Sequence, residues 1–391
     1  MREITGLVLW GCAGLILYTY AGYPLFLAAL ARLSKGRPDS GAVHREEESA
    51  LPPVSLIVPV YNEEQVIERK IRNSCELDYP ESLLEIVVVS DGSNDATEPL
   101  ATQAAGDRVR VHFLADRRGK TACLNAVLPT LRGEIVVFTD ANAFFYPQTL
   151  RTLVRPLRDP TIGCVMGELE YLREASLNAL LGEGLYWRYE NFIKEQESRL
   201  GSTIVGNGAI YAMRRSLCRT LPAEVEADVA NPLLVLAQGH RVIFERRARC
   251  FERASATVRE EFSRKSRIIT NQIASYLYGR KAVRPLPASA LFQILSHKAL
   301  RWFVPFLLLG LLAASAGRLD SPFSALLFIL QLAFYSLALV GWFLEGIGVA
   351  LPRALFVPYY FCAVNAASVT GIADFMRGRR WVIWEKAAST R

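Results

Sequence analysis

Acidic side chains follow three short apolar runs of this sequence. Glu63 comes shortly after VSLIVPV, Asp91 directly after EIVVVS, and Asp140 directly after EIVVFT. A carboxylate in such a position can accept a hydrogen bond from a base or a ribose hydroxyl, or it can ligate a hard cation. Any single one of them could instead cap the helix that follows. The three together favour one polar crevice that binds a ligand.

The apolar runs are rich in β-branched residues and alternate with amphipathic stretches. This pattern predicts a parallel sheet that helices cover on both faces, with its ligand at the carboxyl ends of the strands. The sequence has no Gly-x-Gly-x-x-Gly after the first strand and no Gly-Lys-Ser/Thr loop, which excludes a dinucleotide-binding fold and a P-loop. The predicted strands are 54–60, 85–90, 109–114 and 134–139, and the predicted helices are 63–75 and 119–131.

Long apolar segments lie on both sides of this α/β region, in a chain that is 51% hydrophobic. Residues 4–30 carry no charge and are long enough to cross about 30 Å of hydrocarbon, so they predict an uncleaved anchor. Residues 299–316 and 325–344 predict two further spans. Residues 355–372 form a weaker apolar segment, because they include Pro358 and Asn365.

Basic residues beside the apolar segments indicate their orientation. Arg32, Lys35 and Arg37 follow the first anchor, and the positive-inside rule then places the α/β region in the cytosol. The same rule predicts a cytosolic tail, although three full C-terminal spans would put the tail outside. Either segment 355–372 is re-entrant or interfacial, which we favour, or the charge rule fails here. The basic residues of the tail are Arg377, Arg379, Arg380 and Lys386.

The remaining composition excludes two classes of protein. The net charge is +7, but the basic residues cluster near the membrane segments and do not line one continuous groove, which argues against nucleic-acid binding. The seven cysteines show no Cys-x-x-Cys spacing, and their odd number argues against a disulfide framework. We expect them to be reduced and buried as small hydrophobic residues.

The ordered segments VPVYNEE, SDGSNDAT, RRGKTACLNA and FTDANA resemble family 2 glycosyltransferases. The resemblance extends over residues 54–267 and points to the membrane-embedded branch that includes hyaluronan, poly-N-acetylglucosamine and cellulose synthases. It implies a GT-A type nucleotide-sugar-binding domain, α/β and Rossmann-like with a mostly parallel sheet. This domain would be inserted between transmembrane helices, with an amphipathic interfacial helix beside it.

The resemblance also implies a role for each residue that matches a family motif on the donor side. Pro59, Tyr61 and Glu63 would line the nucleoside pocket. Asp91 would contact the uracil or the ribose, and Lys120 would face the nucleotide.

Asp140 stands at the first acid of the family's Asp-x-Asp metal motif, and Asn142 replaces the second acid. The resemblance implies Mg²⁺ or Mn²⁺ at this site, where the ion would bridge the two donor phosphates and neutralise the leaving nucleotide. An amide oxygen can ligate a metal but brings no charge. We therefore expect a weaker metal site than the family motif provides.

Asp228 stands where the family has its catalytic base, eleven residues before Gly239. In an inverting displacement, such a base removes the proton of the acceptor hydroxyl while that oxygen attacks the anomeric carbon. Of the family's Thr-Glu-Asp motif this chain keeps the final acid, preceded by Ala227 and Glu226. Asp228 could instead cap a helix predicted near residues 231–238.

The family's Gln-x-x-Arg-Trp motif is altered here. Arg264 and Arg267 are suitable partners for a diphosphate or an acceptor, but Ile268 replaces the tryptophan. The change argues against processive polymerisation. The arginines lie on an amphipathic stretch typical of an interfacial helix, where they could also bind lipid headgroups. Gly206 and Asn207 resemble the family's acceptor-side loop, and a tight turn would explain the glycine equally well.

These features predict an inverting, metal-dependent hexosyl- or N-acetylhexosaminyltransferase. It would move a sugar, from a UDP-sugar by preference, to a glycan or lipid-linked acceptor in polysaccharide or glycolipid biosynthesis at the inner cell membrane. Membrane lipids are expected partners and nucleic acid is not. The alternatives are a processive synthase and a non-catalytic nucleotide-sugar sensor. The predicted domains are an anchor at 1–33, the GT-A domain at 50–255, the interfacial helix region at 256–296, transmembrane segments at 297–373 and a basic tail at 374–391.

Overall fold

The structure is a computed structural model, and it describes residues 2–34, 51–172, 177–253, 257–282 and 286–383. Lys35, Arg37 and Lys386 lie outside these residues, as do the predicted domain limits at residues 50 and 255.

The described residues form eight strands and thirteen α-helices. The strands are β1 (Val54–Val60), β2 (Leu84–Ser90), β3 (Val109–Phe113), β4 (Ile135–Thr139), β5 (Phe144–Phe145), β6 (Ile162–Leu172), β7 (Ile210–Arg214) and β8 (Arg241–Arg253). The helices are α1 (Arg2–Leu17), α2 (Tyr23–Leu33), α3 (Ile67–Cys75), α4 (Thr97–Ala105), α5 (Lys120–Val127), α6 (Thr149–Val154), α7 (Leu177–Leu200), α8 (Ala227–Ala237), α9 (Val258–Ala282), α10 (Ala288–Gln293), α11 (Leu300–Ala316), α12 (Pro322–Gly346) and α13 (Arg353–Met376).

All eight strands belong to one sheet, in the order β3-β2-β1-β4-β7-β6-β8-β5. β1 is parallel to β2 and β4, β2 is parallel to β3, and β6 is parallel to β8. β7 runs antiparallel to both β4 and β6, and β5 is antiparallel to β8. The prediction of a mostly parallel sheet is confirmed. Because β1, β2 and β4 are parallel, their carboxyl ends meet at one edge.

The parallel strands are apolar throughout because helices pack on both faces of the sheet. Leu56 and Val58 of β1 belong to one buried cluster with Ile71 of α3. Ile57, which points to the other face, belongs to a second cluster with Leu124 of α5. The alternation of side chains along β1 therefore divides one strand between two cores.

The predicted strands and helices of this domain are confirmed with small shifts at their ends. The predicted helix 119–131 consists of α5 followed by the 3₁₀ turn Leu128–Thr130, since Pro129 has no amide hydrogen with which to continue the helix. The helix predicted near 231–238 is α8, and it begins earlier, at Ala227.

Among the described residues, four helical segments are long and apolar enough to cross a membrane: Arg2–Leu33, Ala288–Ala316, Pro322–Gly346 and Arg353–Met376. The first is continuous through a π-helical turn at Tyr18–Gly22. Length and composition thus agree with the predicted anchor and with the two clear C-terminal spans, and they admit the weaker segment as a fourth candidate.

Three of these segments, α1–α2, α11 and α12, share a common far end. There Arg2 lies 3.6 Å from Asp320, and Arg318 donates to the Arg2 carbonyl at 2.7 Å, in the turn between α11 and α12. At the near end of the first segment, Tyr23 donates to Glu197 of α7 at 2.7 Å. These helices therefore project away from the α/β domain and return to it.

The fourth segment, α13, takes a different course. Near its start Tyr359 packs with Val258, the first residue of α9, and near its end the Gly371 carbonyl accepts from Thr270 of α9 at 3.1 Å. The chain beyond α13 then bonds to α9 through the backbone of Trp381. α13 therefore runs along α9 and also packs against α11 and α12, and it remains a candidate span by length and composition.

Candidate active site

A cavity of about 350 Å³ lies at the carboxyl ends of β1 and β4, between the α/β domain and α9. Ten of the predicted site residues line it, although they come from distant parts of the chain. Tyr61 and Asp91 do not line it. The lining residues predicted from sequence are Pro59, Glu63, Lys120, Asp140, Asn142, Gly206, Asn207, Asp228, Arg264 and Arg267.

Asp91 and Tyr61 both contact the loop that precedes α5. Asp91 is fully buried and accepts backbone hydrogen bonds from Arg118 at 2.7 Å and Gly119 at 2.9 Å. The guanidinium carbon of Arg117 lies 3.7 Å from the centroid of the Tyr61 ring. Because backbone amides already occupy the Asp91 carboxylate, its place differs from the expected contact with uracil or ribose.

Three charged side chains meet at one point of the cavity. Lys120 Nζ donates to Asp140 Oδ1, and each of these side chains is about one-third exposed. A Cβ atom added to Gly208 would lie 2.9 Å from Lys120 Nζ, 3.5 Å from Asp228 Oδ2 and 3.7 Å from Asp140 Oδ2. The proposed base and the proposed metal ligand therefore face the same small volume, which only a glycine leaves open.

The loop that carries Gly208 is held against α8. A Cβ atom on Gly206 would overlap the Asp228 carbonyl oxygen, so glycine is required for this close approach. Asn207 Oδ1 accepts from the Ala209 amide at 3.0 Å, whereas Asn207 Nδ2 is buried and has no hydrogen-bond partner in the described part of the chain. A ligand oxygen in the cavity would satisfy this donor.

Asp228 lies in the first turn of α8, two residues after the N-cap residue Glu226, whose side chain makes no capping hydrogen bond. The alternative that Asp228 caps this helix is therefore wrong. Desolvation in the cavity raises the pKa of Asp228, with Lys120 opposing the shift and Asp140 adding to it. Desolvation together with the Asp228 charge likewise raises the pKa of Glu226 to about 8.

Asp140 and Asn142 both offer oxygen atoms to the cavity. Among the described residues, no three His, Cys, Asp or Glu side chains are grouped closely enough to form a metal site by themselves. Mg²⁺ is usually held by one or two carboxylates together with substrate phosphates. The donor set of one carboxylate and one amide therefore fits Mg²⁺ or Mn²⁺ bound together with a nucleotide diphosphate.

The α9 wall of the cavity contains the two predicted arginines. Arg264 donates to both oxygens of Glu261, at 2.8 Å and 3.1 Å, and to the Tyr171 hydroxyl at 3.4 Å. The charge of Arg267 acts to lower the pKa of Glu226, which places it near the Asp228 end of the cavity. Arg264 is thus held by neighbouring side chains, while Arg267 contributes its charge to the site.

The chain after α13 forms a wall that sequence reasoning missed. The Asn271 side chain exchanges two hydrogen bonds with the Trp381 backbone, at 3.0 Å and 3.2 Å. Val382 contacts Gly119, whose φ of 96° also requires glycine. Trp381 and Val382 both line the cavity. The described start of the predicted basic tail is therefore part of the site, and no motif in the sequence indicated this.

Two side chains of α3, also missed from the sequence, hold the segment that contains Asp140 and Asn142. Lys70 is buried and donates to Thr139 Oγ1 at 2.9 Å and to the Ala143 carbonyl. Asn73 exchanges two hydrogen bonds with the Phe145 backbone, at 2.8 Å and 2.9 Å. A polar pair on the apolar face of α3 was the available signal.

The sheet, the cavity at its carboxyl edge and the attached apolar helices define a GT-A type domain joined to candidate membrane-spanning helices. The family model described as glycosyl transferase family 2 matches residues 55–221. Residues 55–221 are thus similar to family 2 glycosyltransferase domains.

Curated relatives align with less than their full length. A beta-monoglucosyldiacylglycerol synthase of Trichormus variabilis is 30% identical over 184 residues, which is 44% of this chain and 38% of the relative. An N-acetylglucosaminyltransferase of Rhizobium leguminosarum bv. viciae is 27% identical over 213 residues, 50% of each. This chain thus spans half or less of the length of the curated relatives it matches here.

A solved structure is similar over nearly the whole chain. The mannosyltransferase of Pyrobaculum calidifontis, in complex with GDP-Man and Mn²⁺, superposes with a TM-score of 0.71 and 23% identity, covering 97% of this chain and 100% of that one. At this identity the similarity establishes the fold.

Replacing Lys70 by methionine should loosen the Asp140 segment. Burial lowers the pKa of Lys70 to about 7, and its ammonium is the group that ties Thr139 to Ala143. Losing buried hydrogen bonds of this kind costs about 1–3 kcal/mol, so we expect roughly tenfold weaker binding of nucleotide with Mn²⁺. Titration calorimetry of the purified protein measures this nucleotide affinity. Glu68→Gln, on the exposed side of α3, is the control, and equal affinity in both variants would contradict the positioning role.

Proposed function

We propose that this protein is an inverting glycosyltransferase that moves a sugar from a nucleotide-sugar donor to a glycan or lipid-linked acceptor at the membrane. The observation that carries the proposal is the convergence of Lys120, Asp140 and Asp228 around Gly208. A cation, a ligand for the metal and a candidate base then surround one small volume. An anomeric carbon could occupy it, with its leaving diphosphate on one side and the acceptor hydroxyl on the other.

The donor half of the cavity would lie over the ends of β1 and β4. Pro59 and Glu63 would line the nucleoside, and a UDP-sugar is the donor we favour. Asp140 and Asn142 would hold Mg²⁺ or Mn²⁺, which when bound neutralises charge on the diphosphate. Lys120 adds a positive charge at the same place, because its ammonium lies against Asp140.

Asp228 would act as the general base toward the acceptor hydroxyl. Its raised pKa, caused first by desolvation, makes it a stronger base than an exposed aspartate. The Gly208 loop holds this carboxylate in place. Asn207 Nδ2, a buried donor that lines the same cavity, is suited to bind an oxygen of the acceptor.

The names of the curated relatives support a glycolipid or glycan acceptor. They include a glucosyldiacylglycerol synthase and an N-acetylglucosaminyltransferase. In this chain Ile268 lines the cavity where the processive branch has tryptophan, so we favour a single or limited transfer over processive synthesis.

We further propose that the cavity opens on the cytosolic side of the inner membrane. The first segment carries Arg32 at its domain end, in agreement with the positive-inside rule. An interfacial course of α13 along α9 would keep the described part of the basic tail on that same side, and this is supported by Trp381, which lines the cavity. The predicted division into anchor, catalytic domain, interfacial helix region, transmembrane segments and tail is compatible with this arrangement.

Incubation of the purified protein in detergent with a panel of labelled nucleotide sugars and Mn²⁺ tests the proposed activity. We expect release of nucleotide from one preferred donor, and with native membranes a product that carries one or a few added sugars. Sizing the product separates limited from processive transfer. Measurable nucleotide binding without turnover on any donor would favour the non-catalytic sensor.

Asp228→Asn should abolish transfer without preventing donor binding. Removing a general base costs about 10²–10⁴ in kcat, whereas nucleotide affinity should stay within about threefold. The base must be deprotonated to act, so wild-type kcat should fall as the pH is lowered. Because the pKa of Asp228 is raised, this fall should begin at a higher pH than for an ordinary aspartate. Asp107→Asn, an exposed carboxylate before β3, is the matched control. Near-normal turnover in Asp228→Asn would show that the base is elsewhere.

Asp140→Ala should weaken binding of the metal–nucleotide complex rather than the proton transfer. Lys120 then loses its carboxylate partner and the metal loses its charged ligand, so we expect at least about tenfold weaker Mn²⁺-dependent nucleotide binding. Asn142→Asp should shift the metal requirement toward lower concentrations. Metal titrations of both variants provide the measurement. An unchanged Mn²⁺ dependence in Asp140→Ala would show that Asp140 is not a metal ligand.

A further inference from the structure

α7 carries a buried row of charged side chains on the side that faces the cavity and the membrane helices. Glu190, Lys194 and Glu197 follow one another at helical spacing, and none is more than 2% exposed. Such side chains are rarely buried unless they are paired. We therefore identified the partner of each of these three buried charges.

Both carboxylates of this row pair with side chains of residues 297–301, at the start of α11. Glu190 accepts from Lys298 Nζ at 2.5 Å and from Arg301 Nη1 at 2.6 Å. His297 Nδ1 lies 2.8 Å from Glu197 Oε1. Each Glu190 oxygen thus has a cationic partner close at hand, and neither carboxylate makes a hydrogen bond to Lys194.

Lys194 is the member of the row without a hydrogen-bond acceptor among the described residues. Its Nζ lies 5.0 Å from the centroid of the Trp187 ring and 5.5 Å from that of Phe244. The charges of Glu190, Glu168 and Glu197 act on this ammonium, but none of the three accepts a hydrogen bond from it. With Lys298 and Arg301 it makes three basic side chains, which face the three acids Glu190, Glu197 and Glu168. A buried ammonium without a hydrogen-bond acceptor is costly, and a ligand oxyanion in the cavity would supply one.

The ammonium of Lys194 borders the cavity, in the half away from the proposed nucleoside site. Lys194, Trp187 and Lys298 all line the cavity. In the sheet, two strands separate β6 from β1, which carries Pro59, and one separates it from β4, which precedes Asp140. α7 packs on β6 and on β8, which lies one strand further away. An anion at Lys194 would therefore be distinct from the donor diphosphate, which lies at Asp140 in the proposed arrangement.

We propose that Lys194 binds a phosphate group carried by the acceptor, with Trp187 as the surface on which the neighbouring part of the acceptor packs. Only the identification of this ligand as the acceptor rests on the proposed function; the oxyanion site itself rests on the geometry of α7. The phosphate could belong to a lipid headgroup at the membrane or to a soluble phosphorylated molecule. Desolvation lowers the pKa of Lys194 to about 8, which leaves it largely protonated at neutral pH.

The test is calorimetric titration of the full-length protein in an uncharged detergent, with saturating UDP and Mn²⁺. The probes are dihexanoyl phosphatidic acid, the matched neutral dihexanoylglycerol, and inorganic phosphate. We expect the phosphatidic acid to bind at least about tenfold more tightly than the neutral lipid. Binding of inorganic phosphate as well would indicate a soluble phosphorylated acceptor, and binding of the phosphatidic acid alone would indicate a lipid.

Lys194→Met should abolish the preference for the phosphate-bearing probe, and Lys194→Arg should retain it within about threefold. Lys265→Met removes a basic side chain from the same cavity, but one that pairs with Glu261 at 3.5 Å, and it should leave the preference intact. UDP–Mn²⁺ binding verifies that each variant is folded. No preference in the wild type, or the same preference in Lys194→Met, would overturn the proposal.

The same preparations separate this inference from the proposed function. Donor turnover without any Lys194-dependent preference for phosphate would refute only the oxyanion site. Lys194-dependent binding of the phosphate probe, without turnover of any donor, would refute the transferase and leave the site in place.

Discussion

The buried ion pairs between α7 and the start of α11 are the contact on which the site depends. Glu190 and Glu197 receive Lys298, Arg301 and His297 in a region almost closed to solvent. Removing one partner of such a pair typically costs about 3–5 kcal/mol, because the other charge stays buried. The cavity takes walls from both the α/β domain and the membrane-side segments, so their relative position sets its shape.

Close backbone packing does the rest of the positioning. Gly206 lets its loop touch the carbonyl of Asp228, and Gly119 lets the chain after α13 touch the loop before α5. Asp91 holds that loop from behind through two backbone amides. The charged side chains at the centre are therefore presented by closely packed strand ends and loops, and preorganisation of this kind is what electrostatic catalysis requires.

Much of the fold and the centre of the site could be predicted from the sequence. β1, β2 and β4 are short β-branched runs, and parallel strands bring their carboxyl ends together whatever follows them, so Asp140 was placed correctly at the sheet edge. Asp91 was placed at the same edge, but its neighbours were not predictable. Whether a strand-end carboxylate faces a ligand or a backbone amide depends on a loop conformation that residue types do not specify.

The sequence by itself determined the alternation of strands and helices, the apolar segments and the order of the acidic strand ends, because these follow from local periodicity and residue chemistry. Only the tertiary structure decided that Trp381 lines the cavity, that α13 follows α9, and that Lys194 lies among aromatic rings beside a saturated Glu190. Those features join segments far apart in the chain. Their contacts depend on how helices pack, and no local pattern in the sequence encodes that packing.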